Sequence, residues 1–174
     1  MLYLLAIVLS VALDQAVKLW VVSHIALYES APLFPGFMEL MYIQNTGGGF
    51  SILSGHTWVL TLFTAVIMAA VAYLLCKKTF SHPLAMWSLT LILGGGIGNL
   101  IDRVRLGYVV DMFHFEFWPS YPVFNVADIL VVVGVIGFAA YYLILDDRVK
   151  AEKAEKAEKG ENDSGRKDDT DRNA

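Results

Sequence analysis

The sequence predicts a mainly α membrane protein: four transmembrane helices with a small β-rich element outside the bilayer. Three observations carry this. The 174 residues are 56% hydrophobic with a mean hydropathy of +0.54, against roughly 45–50% apolar in a soluble domain. Charge is segregated. Residues 146–174 hold eight of the 13 Lys and Arg and ten of the 17 Asp and Glu, which leaves an apolar body over 1–145. Four runs in that body are long enough to cross the ~30 Å hydrocarbon core, which takes about 20 helical residues at ~1.5 Å each.

The first run covers residues 2–24 and carries Asp14 and Lys18 in mid-segment. It has no basic residues at its start, so it reads as a retained helix and not as a cleaved signal peptide. The second run, Thr57 to Cys76, is free of charge. The third, Leu84 to Ile101, is rich in Leu and Gly. The fourth, Val123 to Leu145, has Asn125 and Asp128 near its start. Backbone groups in lipid must bond within their own segment, so each run is expected to be helical. Four spans place both termini on one side. Lys77 and Lys78 in the second loop, with Arg148 and Lys150 after the fourth span, put that side in the cytoplasm, although Arg103 and Arg105 oppose this from the other face.

Residues 25–56 and 103–122 then lie outside. Within them, Phe37 to Ile43 and Tyr108 to Trp118 are rich in β-branched and aromatic residues and are expected to be extended. An extended second segment would put Asp111, Phe113, Phe115 and Phe117 on one face. Aromatic residues of such an element suit the headgroup level. The segment 146–174 is a separate tail, expected in the cytoplasm. Glu152–Lys156 and Glu155–Lys159 are favourable helical pairs, and the composition beyond Gly160 is that of disorder.

The body is short of charge, so what charge remains is informative. The whole chain's formal net charge of −4 averages body and tail, and there is no basic patch for nucleic acid. The single cysteine, Cys76, excludes an internal disulfide and a multi-cysteine zinc site. Asp14 and Lys18 are four apart on one helix face, where pairing lowers the cost of each in lipid. They are either a structural lock or part of a site. Asn45-Thr46-Gly47-Gly48-Gly49 is a glycine-rich loop without the Lys-Ser/Thr ending of a phosphate-binding loop. In Gly94 to Arg103, the glycines read as close helix packing, while Asn99, Asp102 and Arg103 share one face. Asp102 is expected to neutralise Arg103 or Arg105.

Asp111 and Asp128 each end a short block at the edge of an apolar segment, where a carboxylate is expensive to desolvate. Either could be a helix cap or an ion-pair partner. Brought together, two carboxylates share a proton and titrate as a unit. One can then take a proton from water while the other polarises a carbonyl. His114 beside them raises a weaker reading, a catalytic zinc. Buried acids also suit a transporter or an ion or proton relay. A non-catalytic adaptor that docks a partner through the tail is a third alternative.

Five blocks together resemble the lipoprotein signal peptidase family, the type-two signal peptidases of bacteria. They are Asp14-Gln15-Ala16-Val17-Lys18, Asn45-Thr46-Gly47, Gly94 through Arg103, Gly107 through Asp111, and Phe124 through Asp128. Order and spacing match across residues 1–145. Gly49 and Gly96 depart from the pattern, standing where Ala is expected, and the charged tail is no part of the family core. The resemblance implies an intramembrane aspartic endopeptidase with four transmembrane helices in the bacterial inner membrane, needing no cofactor or metal. Its site would lie near the outer leaflet. Its substrates would be prolipoproteins carrying a diacylglyceryl group on cysteine, cut just before that cysteine. Asp111 and Asp128 would be the catalytic pair. Asn99, Arg103 and Asn125 would lie around the site, and Asp14, Lys18, Asn45 and Gly47 would support it.

Overall fold

The computed structural model describes residues 1–48 and 56–145. Gly49 and the tail from 146 onward lie outside them. Among the described residues, four helices are long and apolar enough to span a membrane. These are α1 (Leu2–His24), α2 (Thr57–Cys76), α3 (Pro83–Leu106) and α4 (Val126–Ala140), the last continued by a π-helical turn over Tyr141–Leu145. Three strands, β1 (Ser30–Phe34), β2 (Met38–Asn45) and β3 (Val109–Phe115), form one antiparallel sheet in the order β1-β2-β3.

α3 is the hub of the bundle. Its most apolar stretch is 61% buried, against 11–17% for the other spans, whose remaining surface faces outward for lipid. The glycine run explains why three helices can pack on one. A Cβ at Gly94 or Gly98 would meet Ser10 or Asp14 of α1, one at Gly95 would strike the backbone of Ala127 in α4, and one at Gly96 would strike Met68 of α2. Small residues at these contacts let backbones approach closely where burial itself gives little drive. The space left by Gly96, where an alanine was expected, is filled by the Met68 side chain.

The third span runs five residues past its expected end at Ile101. Of the residues after it, Asp102 points inward at polar partners while Val104 to Leu106 are exposed, and the helix stops only at Gly107, whose φ of +80° supplies the left-handed cap. That turn sends the chain straight into β3. The fourth helix begins three residues later than expected. Phe124 bonds across to Phe113 as a β-bridge (Phe113 N–H to Phe124 O 2.8 Å, Phe124 N–H to Phe113 O 3.1 Å), so the chain is extended up to Asn125.

β2 and β3 fall where strand composition was seen. Phe117 lies beyond the end of β3. The face carrying Val110 and Met112 packs with Tyr42 on Val21 and Ile25 at the end of α1. The alternate residues Asp111, Phe113 and Phe115 take the opposite face, with the rings of Phe113 and Phe115 in tilted contact with Phe124.

Candidate active site

β3 places Asp111 opposite Ile43 of β2, and α4 places Asp128 at its third residue. Both side chains line one cleft of about 210 Å³, together with Asn45, Asn99 and Arg103 and a wall formed by Tyr121 to Phe124. A second cleft of about 250 Å³, lined also by Ile43, Gln44 and Thr46, adjoins the first and shares Asn45, Asp111, Pro122 and Val123 with it. Asp111 therefore lines both clefts.

Asn125 ties the two carboxylates together. As N-cap of α4 it accepts from the Asp128 N–H (2.9 Å), and the Asp128 Oδ2 accepts from the Asn125 N–H (3.1 Å). This is a capping box, so the helix-cap role considered for Asp128 is present. The same Asn125 side chain donates to Asp111 Oδ1 (2.6 Å) and to Asn99 Oδ1 (3.0 Å). Asn99 Nδ2 donates to Asp128 Oδ1 (2.8 Å), and Asn45 Nδ2 donates to Asp111 Oδ2 (2.9 Å). Each of the four carboxylate oxygens thus receives one N–H from the protein, and the remaining lone pairs are left for the cleft. Gly47 acts one step back: its N–H donates to Asn45 Oδ1 (2.9 Å), which turns the amide's NH₂ toward Asp111.

Behind the cleft lies a buried charge cluster. Lys18 Nζ meets Asp14 (2.9 Å), Asp102 (2.9 Å) and Asn99 Oδ1 (2.8 Å), which uses all three of its protons. Lys18 also fixes the flip of Asn99, because an amide whose oxygen faces a lysine must turn its NH₂ to Asp128. Asp14 Oδ1 accepts from the Ala127 N–H of α4 (2.9 Å).

The expected pairing of Asp102 with Arg103 or Arg105 is corrected. Asp102 accepts from Lys18, from Gln15 Nε2 (2.9 Å) and from the Val110 N–H of β3 (3.1 Å). Successive helix positions point about 100° apart, so Asp102 faces α1 while Arg103 faces the cleft and α2. Among the described residues Arg103 has no ion pair, and its Nε is buried without a hydrogen-bond partner. His114 is on the opposite face of β3 from Asp111. It meets Glu39 across the sheet at 2.8 Å, and no group of His, Cys, Asp and Glu suited to a metal is found among the described residues. The zinc reading loses its ligand set on that geometry.

Burial, and then the neighbouring Asp128 charge, push Asp111 up to about 7, with the amides of Asn45 and Asn125 opposing. Glu39 is held below its ordinary value by hydrogen bonds from Ser30 and His114. Sequence reasoning missed Gln15, which donates to Asp14, Asp102 and the Gly98 carbonyl. Its signal was an amide in a lipid span, one residue from Asp14. The wall from Tyr121 to Phe124 had no signal, because its place depends on the bridge to Phe113.

A family model described as signal peptidase (SPase) II matches residues 6–144. The chain belongs to the signal peptidase II family. Lipoprotein signal peptidases of Streptococcus pyogenes serotype M2 (strain MGAS10270) and serotype M1 are similar, each 47% identical over 139 residues, covering 78% of this chain and 88% of the relative. Two solved bacterial membrane enzyme structures share the fold. One has a TM-score of 0.76 at 29% identity, covering 83% of this chain and 88% of the other. The second has 0.74 at 28%, covering 82% and 93%. The span matched to signal peptidase II contains both aspartates and every residue of the cleft.

Proposed function

We propose that Asp111 and Asp128 are the catalytic pair of this enzyme, and that its substrates are prolipoproteins already carrying a diacylglyceryl group on cysteine. The activity itself, removal of signal peptides from prolipoproteins by an aspartic endopeptidase, follows from membership of the family. The observation that carries the assignment is the meeting of the two carboxylates on one cleft, joined through Asn125.

Asp111 holds the shared proton and Asp128 is the base. The position of Asp111 near 7 supports this, as does the cationic Lys18 standing behind Asn99 on the Asp128 side. Asp128 takes a proton from water, whose oxygen bonds to the scissile carbonyl carbon. Asp111 donates its proton to the carbonyl oxygen. The C–N bond then breaks as the proton held on Asp128 passes to the leaving nitrogen and one hydroxyl of the gem-diol returns its proton to Asp111, leaving a carboxylic acid and a free amine. No covalent enzyme intermediate forms. The peptide lies along the two adjoining clefts that Asp111 lines, which supplies orientation.

Residues 1–145 form the peptidase domain and 146–174 a tail. Both termini lie in the cytoplasm of a bacterial inner membrane, with the cleft near the outer leaflet. Loop lysines support that orientation. A lipid anchor on the substrate cysteine would keep its acyl chains in the bilayer and leave the peptide bond before the cysteine at cleft depth. The test is cleavage of a lipid-modified precursor by purified protein, beside Asp128→Asn and a chelator control. Wild type should cleave with chelator present and the variant should not. Substantial turnover by the variant refutes the assignment.

A further inference from the structure

Arg103 belongs to two hollows at once. One is the cleft of the aspartates. The other is an apolar groove of about 430 Å³ between α2 and α3, lined by Trp58, Thr61, Leu62 and Ala65 with Arg103 and Gly107. We infer that this groove holds an acyl chain of the substrate's diacylglyceryl group, with Arg103 at the junction between peptide and lipid. The inference rests on the prolipoprotein reading above.

Three observations favour that occupant. First, the groove and the cleft share a wall, so a thioether-linked glycerol on a cysteine in the cleft reaches the groove past one side chain. Second, that side chain is a guanidinium whose Nε is buried without a partner among the described residues. A buried unpaired donor costs free energy until something accepts from it, and the ester oxygens of a diacylglycerol are acceptors with no charge to repel. Third, the dimensions fit. Thr57 to Ala65 rises about 12 Å along α2, most of the ~15 Å depth of one leaflet's hydrocarbon core. The groove starts at the end of the bundle where the cleft lies, since α2 begins and α3 ends there. Trp58 is 69% exposed at the mouth, an interfacial residue type at an interfacial place.

The experiment compares two synthetic prolipoprotein peptides, one with dipalmitoyl and one with dibutyryl glyceryl on the cysteine, cleaved by wild type, Ala65→Phe and Leu62→Trp in detergent micelles. Each substitution fills the groove, and Leu62 is exposed enough that its replacement leaves the bundle intact. KM for the dipalmitoyl substrate should rise about tenfold, the equivalent of two methylene groups losing their place. For the dibutyryl substrate KM should stay within about twofold, and kcat should hold for both. Equal losses on both substrates, or no loss on either, would overturn the inference. A wild-type enzyme that cleaves an unlipidated peptide as fast as the dipalmitoyl one would instead remove the lipid requirement, and with it the reading beneath.

Discussion

Replacing Asp111 with asparagine should cost activity while reversing a stability trend. An ordinary aspartate titrates near 3.8, and Asp111 at about 7. The folded protein therefore holds this proton more tightly than the unfolded chain. Stability from this group is fully present below about pH 3.8, declines as pH rises toward 7, and is flat above. At about 1.4 kcal/mol per pH unit the whole decline is about 4 kcal/mol. Asparagine does not titrate, so Asp111→Asn escapes it. The variant has its own constant cost. Asp111 accepts from two NH₂ groups, those of Asn45 and Asn125, and asparagine offers one oxygen where there were two. An unmatched pair of donors costs about 1–3 kcal/mol at any pH. The two curves should cross: the variant less stable near pH 4, more stable at pH 8. Equilibrium unfolding in mixed micelles between pH 4 and 8 measures this, and cleavage by the same preparations should fall by about 10²–10⁴. Parallel stability curves would show that the site does not hold a proton on Asp111 and would remove the acid from the mechanism.

Lys18→Met should destabilise the fold by about 3–5 kcal/mol, since it leaves Asp14 and Asp102 buried around no cation. Thermal unfolding in detergent reads this directly, and a loss below about 1 kcal/mol would contradict the cluster's role. His114→Gln should cleave within about threefold of wild type, with or without a chelator, because a residue facing away from the reacting groups falls among ordinary substitutions. In that variant Glu39 should titrate closer to an ordinary glutamate, having lost one of its two main donors. A collapse of activity in His114→Gln would place the histidine back in the chemistry.

The spans were legible because lipid imposes one rule on length and polarity. α1 and α2 begin and end where the apolar runs do. The inner ends of α3 and α4 were not legible in the same way. Asp102, Arg103 and Arg105 look like the close of an apolar run, yet the helix continues through them: Asp102 is received by Lys18 and Gln15 of α1, Arg103 turns to the cleft, and Gly107 supplies the stop. β1 was not foreseen: Ser30-Ala31-Pro32-Leu33-Phe34 carries a proline, tolerated there because it is an edge strand. In the site, charged and amide residues stood out against their apolar surroundings. Their wiring did not. That Asp102 serves Lys18 while its neighbour Arg103 is left for the cleft depends on which helix packs on which side of α3, and neighbouring letters do not state that.

Asp14 and Ala127 are separated by 113 positions, yet a carboxylate of the first helix seats the opening turn of the last. A ribosome that has released only the first three spans has made no hydrolase. The two carboxylates of the cleft come into register once the final hairpin enters the bilayer and closes on residue 14. Until then a half-synthesised chain has nothing with which to cut its neighbours.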